Sequence, residues 1–145
     1  MNVGEFLDLK GDFVLTIQPE ATIGEAAAVL AKNHIGAIVV TDAAGAIAGI
    51  LSERDVAVSL PRYSSARGDT KVSEIMTADV VTCNTETTVK QVLDIMVSHG
   101  IRHLPVVESD ARIRCRFDTR CRRQLARRNY GRSGRGYRRM SARSF

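Results

Sequence analysis

Ser52-Glu53-Arg54-Asp55 sets a hydroxyl and a carboxylate three residues apart, with a second acid and a guanidinium between them. That spacing suits a helix start, where the hydroxyl accepts from unpaired backbone N–H groups and the acids favour the positive end. An ionised carboxylate can also accept two donors at once, in charge-assisted bonds. The other reactive residue types offer less. His34, His99 and His103 have no metal-ligand spacing, and a lone His is usually structural. Cys83, Cys115 and Cys121 are odd in number and form no CxxC pair, so they read as reduced thiols rather than a disulfide framework or zinc site. There is no Gly-rich phosphate loop and no supported nucleophile–base pair. Glu53 and Asp55 share one helix start, where capping and binding suit them better than proton exchange. These observations point to a binding protein, not an enzyme.

The elements that must position Asp55 come in two copies. Shifted by 66 residues, Thr22-Ile23 falls on Thr88-Val89, Glu25 to Lys32 on Gln91 to Ser98, Ile35 to Val40 on Ile101 to Val106, and Asp42 on Glu108, with no gap. Thr22 and Thr88 are placed to cap helices. Ile23, Ala26, Ala27 and Leu30 form one helical apolar face, and Val89, Val92, Leu93 and Met96 form the other. Short apolar strands follow, Ala37 to Val40 and Leu104 to Val107; Pro105 implies an edge or a break in its ladder. The first unit continues through Asp42-Ala43-Ala44-Gly45 into a strand over Ile47 to Leu51 and the helix opened by Ser52. Each unit thus reads β-α-β-β-α, in an α/β (α+β) fold built as a pseudo-two-fold pair. The expected organisation is a first unit with its lead-in over 1–62, a linker over 63–70, a second unit over 71–113 and a separate tail over 114–145.

With 145 residues, 44% of them hydrophobic, the chain can form one compact domain or two small repeats on a shared core. No apolar run is long enough to cross a bilayer, and Met1 to Lys10 carries acids where a secretory signal needs bases, so a cytoplasmic location without membrane contact is expected. The formal charge of +5 averages two unlike parts. Residues 1–111 hold 8 Lys+Arg against 15 Asp+Glu, whereas 112–145 hold 13 Arg, no Lys and one acid, Asp118.

The motifs resemble a known family. Thr22-Ile23-x-Glu25-Ala26, His34-Ile35-Gly36-Ala37-Ile38-Val39-Val40 and Gly49-Ile50-Leu51-Ser52-Glu53-Arg54-Asp55 look like a CBS motif. So do Val72-x-x-Ile75-Met76-Thr77 and His99-Gly100-Ile101-Arg102-His103-Leu104-Pro105-Val106-Val107. The chain, over about residues 3–113, is similar to bacterial stand-alone CBS-pair (Bateman module) proteins, including those related to the insert of inosine monophosphate dehydrogenase. The resemblance implies a regulatory module with an adenosine nucleotide (AMP, ADP or ATP) as ligand, no required cofactor, and a homodimer. It implies that Asp55 accepts from the ribose hydroxyls and Ser52 contacts ribose or phosphate. Backbone groups around Gly36-Ala37-Ile38 and His103-Leu104-Pro105 would read the adenine edge, Thr16 and Thr82 would line the cleft, and Arg54 and Arg102 would meet phosphate.

Past Ile113 the resemblance stops. At the same offset Cys115 to Cys121 falls on Gly49 to Asp55 and resembles it nowhere, so the second unit is expected to be truncated, without its last strand and its Ser-x-x-Asp. One reading of residues 114–145 is an irregular Arg-rich tail that would bind nucleic acid or another polyanion. The other is a change of reading frame. Codons can be chosen for Arg114 to Arg122 that, read one base later, give Gly-Val-Val-Ser-Ile-Arg-Asp-Ala, which matches Gly49 to Val56 at the offset of the repeat. That coincidence of content and position favours the second reading, under which the nucleic-acid partner disappears.

Overall fold

In the computed structural model the residues described are 1–10, 14–60, 70–110 and 112–118. Their elements run α1 (Val3–Lys10), β1 (Thr16–Ile17), α2 (Ile23–Asn33), β2 (Ala37–Thr41), β3 (Ile47–Ser52), α3 (Glu53–Ser59), α4 (Val72–Ile75), α5 (Val89–Ser98), β4 (His103–Val107) and β5 (Ile113–Asp118). Thr22 and Thr88 start α2 and α5 as expected. Each side chain accepts from the backbone N–H three residues on, while Glu25 or Gln91 reaches back to the cap residue's own N–H. α2 ends on His34, held at φ 52°, a left-handed position that stops the helix.

The two units repeat down to single hydrogen bonds. β2 pairs antiparallel with β3 through Ala37↔Ser52, Ile38↔Leu51, Val39↔Ile50 and Val40↔Gly49, with a register shift before Thr41↔Ile47. β4 pairs with β5 through His103↔Asp118, Leu104↔Phe117, Pro105↔Arg116 and Val106↔Cys115, with the same shift before Val107↔Ile113. Every pair is displaced by 66. The turns match too: Asp42 N–H donates to Ala46 O, and Glu108 N–H to Arg112 O, both at 2.9 Å. Ala46 also bridges Arg112, its own counterpart, so the pseudo-two-fold axis passes between them.

β5 corrects one part of the expected truncation: where the second unit is expected from its sequence to lack its last strand, a strand is present over Ile113–Asp118. A ladder is made by backbone groups, and Ile113-Arg114-Cys115-Arg116-Phe117 alternates apolar and polar residues with the period of a strand. Similarity to Gly49–Leu51 is not needed for that. Beyond Asp118 the chain lies outside the described residues, and with it Cys121, the counterpart of Asp55, and the tail.

The units differ at Pro105. β1 pairs in parallel with β2 through Thr16↔Val39 and Ile17↔Val40. In the second unit this strand shrinks to one parallel bridge, Cys83↔Val106, with Cys83 N–H donating to Pro105 O at 3.0 Å and Val107 N–H to Cys83 O at 2.8 Å. A pairing matching Thr16↔Val39 would need an N–H that Pro105 lacks.

Each unit's leading helix packs on the other unit. Val3 and Gly4 donate to Thr87 O and Thr85 O at 2.9 and 2.8 Å, while Val72 and Ser73 donate to Ala21 O and Pro19 O at 2.8 and 3.0 Å. Consequently one core joins Val3, Phe6 and Leu7 to Cys83, Val92, Met96, Leu104 and Val106. The other joins Val72 to Ala26, Leu30, Ile38, Val40 and Leu51. Full burial of such side chains is worth about 1.5–3 kcal/mol each, so this exchange ties the units together.

Candidate functional site

Ser52 closes β3 and opens α3 with an extended backbone (φ −100°, ψ 159°). Its Oγ accepts from the Asp55 N–H at 3.1 Å, and Asp55 Oδ2 accepts from the Ser52 N–H at 2.8 Å. The cap and the ligand role are therefore compatible. The reciprocal bonds hold the half-buried carboxylate in one rotamer and use Oδ2, and a carboxylate has about four lone-pair sites. Gly49 makes the neighbouring backbone possible: a Cβ there would lie 2.6 Å from Met76 Sδ and 2.9 Å from Thr77 O. Ile50 can thus exchange both hydrogen bonds with Thr77 at 3.0 Å each, which draws the start of the second unit against β3.

Between these strands and the start of β4 lies a cleft of about 370 Å³, lined by both units and within the usual range for small-molecule sites. Of the residues singled out from the sequence, it gathers Gly36, Ala37, Ser52, Arg54, Asp55, Arg102 and His103. At Gly36, Glu53 Oε1 and, from the second unit, His103 Nε2 each lie 3.6 Å from where a Cβ would sit. Arg54 and Arg102 are exposed cations of the lining; Glu53, Asp55 and Asp79 are its acids.

Other expected residues are not among its lining. The Ile38 and Leu104 side chains are buried in the two separate cores. Pro105 O is taken by the Cys83 N–H, and Thr16 and Thr82 are exposed on segments that do not line it. In their place Ile50, Thr77, Val80, Val81 and Ile101 supply walls that residue chemistry alone did not single out. The signal was present in the repeat, since Val80-Val81 falls on Val14-Leu15 at the offset of 66.

A further depression of about 430 Å³ lies between α2 and α3, lined by Ala27, Leu30, Ala31, His34, Ile35, Gly36, Glu53 and Val56. It is built from the first unit alone and offers fewer converging polar groups than the Asp55 cleft. Among the described residues no group of three or more His, Cys, Asp or Glu could hold a metal ion, and no helix is long and apolar enough to cross a membrane.

Comparison with known proteins agrees with the repeat. The family described as CBS domain matches residues 8–62 and 72–114. An uncharacterised 17.7 kDa protein of Acidianus ambivalens is 35% identical over 100 residues, which are 69% of this chain and 59% of that protein; the chain thus spans less than two thirds of that relative. The crystal structure of the CBS-domain containing protein ATU1752 from Agrobacterium tumefaciens superposes with a TM-score of 0.80 at 36% identity, covering 87% of this chain and 99% of that one. The CBS domain pair of protein MJ0100, in complex with 5′-methylthioadenosine and S-adenosyl-L-methionine, gives a TM-score of 0.76 at 26% identity over the same shares.

Proposed function

The chain belongs to the CBS domain family, and from that premise we propose that it is a regulatory module, not an enzyme, which binds an adenosine nucleotide in the Asp55 cleft. One observation carries the reading: a carboxylate fixed by its own helix cap faces a crevice walled by both units. In this assignment Asp55 accepts from the two ribose hydroxyls, which present two donors in the plane a carboxylate prefers. Ile50, Val80, Val81 and Ile101 sandwich the base. Arg54 and Arg102 meet the phosphates, and their exposure leaves room for one, two or three of them. The bound molecules named for the MJ0100 pair share the adenosine moiety and differ beyond it, which supports recognition centred on the nucleoside.

Because both units line the cleft, a ligand that prefers one relative orientation shifts their equilibrium, and a homodimer of this chain or a partner protein reads that shift. We place this module in the cytoplasm, where adenosine nucleotides are abundant. Calorimetric titration of AMP, ADP, ATP and NAD into the protein, with Asp55→Ala as control, tests the assignment. Saturable heat with at least one of them, reduced about ten-fold or more in affinity in the variant, is the expected result. No heat, or equal heat in both proteins, refutes it.

A further inference from the structure

The exposure of Arg54 and Arg102 leaves room for a phosphate chain of any length, so charge rather than space decides which one the cleft takes. Among the described residues its lining carries two guanidinium groups, Arg54 and Arg102, and three carboxylates, Glu53, Asp55 and Asp79. His103 adds an imidazole, which is not a permanent cation.

The three acids do not share one task. Asp55 is half-buried and held by the Ser52 N–H at 2.8 Å, which suits it to the ribose. Glu53 and Asp79 are exposed. The Glu53 backbone is pinned, its N–H donating to Gly36 O at 2.9 Å. Its Oε1 and His103 Nε2 both approach the vacant side-chain position of Gly36 to 3.6 Å, so this carboxylate stands close to the residue that follows Arg102. None of Glu53, Arg54, Asp79 and Arg102 forms an ion pair with another described residue. Opposite charges that do not neutralise one another both act on a ligand. The two guanidinium groups attract a first phosphate. Each further phosphate adds negative charge that the same two arginines must share and that Glu53 and Asp79 repel.

We infer that the cleft selects adenosine carrying a single phosphate and discriminates against the di- and triphosphate, with Glu53 and Asp79 imposing the difference. The inference rests on the nucleotide reading of the Asp55 cleft and adds to it the length of the phosphate chain.

The test uses the whole chain and calorimetric titration of AMP, ADP and ATP without divalent cations. One pair of charges about 4 Å apart in water changes an equilibrium about five-fold. AMP is therefore expected to bind at least about five-fold more tightly than ATP, with ADP between them. Salt screens exposed charges, so the advantage of AMP should narrow as ionic strength rises. Glu53→Gln combined with Asp79→Asn should raise ATP affinity more than AMP affinity and bring the ratio below about two-fold. Asp79→Asn alone, at an exposed bend, should move the ratio in the same direction and serves if the double variant fails to fold. Magnesium neutralises part of the triphosphate and should shrink the ratio without reversing it. ATP bound as tightly as AMP or more so, with or without magnesium, overturns the selectivity and leaves the proposed function standing. A ratio indifferent to these substitutions also overturns it. Absence of heat with every nucleotide overturns the proposed function, and the selectivity with it.

Discussion

Gly49→Ala adds one methyl group, and the structure says which atom will resist it. The new Cβ would lie 2.6 Å from Met76 Sδ, 2.9 Å from Met76 Cγ and 2.9 Å from Thr77 O. A methionine side chain can turn aside at little cost. Thr77 O cannot, because it accepts from the Ile50 N–H at 3.0 Å while the Thr77 N–H donates to Ile50 O at 3.0 Å. Relief of the backbone clash must open this two-bond bridge, at about 0.5–1.5 kcal/mol per bond. Adding strain in the packed surroundings gives a total of about 2–3 kcal/mol, in line with overpacked cores. For a chain of this size that corresponds to a fall in Tm of roughly 5–10 °C, measured by thermal and urea unfolding. The decisive comparison is a double-mutant cycle with Met76→Ala. Removing the thioether should restore less than half of the loss, because Thr77 O still stands in the way. If Gly49→Ala with Met76→Ala is as stable as Met76→Ala alone, the side chain was the whole obstacle and the reasoning fails.

Three further outcomes follow from the geometry. Ser52→Ala removes the cap of α3 and should lower stability by about 1 kcal/mol in urea unfolding; an unchanged midpoint would show that the cap contributes nothing. Phe6→Ala should cost about 3–5 kcal/mol and speed amide hydrogen exchange in α5 and β4, with which Phe6 shares a core, more than in α2 and β2; the reverse order would refute the exchange of leading helices. Saturating AMP, ADP or ATP, at about 100 times its Kd, should stabilise the wild type by about 2.7 kcal/mol and Asp55→Ala, bound about ten-fold or more weakly, by about 1.4 kcal/mol or less at the same concentration, as read by the thermal midpoint.

Much of this fold is legible in the sequence because its information is local or repeated. Thr22, Ser52 and Thr88 announce helix starts through side chains that bond within three residues, and the offset of 66 carries over to the strand register, shift included. Contacts between distant segments are another matter. Val3, Phe6 and Leu7 have helical spacing, yet nothing in that spacing says that their partners are Val92 and Leu104 rather than Leu30 and Ile38. The cleft shows the same division. Asp55 and Ser52 stand out by chemistry, whereas Val80 and Val81 become walls only because the bridge between Ile50 and Thr77 brings their segment across. β5 escaped notice for a different reason. Its arginines suggest a solvated tail by composition, but strand pairing asks for alternation and backbone groups, and Ile113–Asp118 has both.

The crossed placement of α1 and α4 has a consequence for synthesis. Val3–Lys10 is made well before the strands of the second unit, and the surface that shelters its apolar face is completed only when Leu104 and Val106 have been translated. Until then this helix lacks its docking surface, and the nascent chain must carry Val3, Phe6 and Leu7 uncovered. Closing so long a loop is intrinsically slow, so the later segment governs when the earlier one settles.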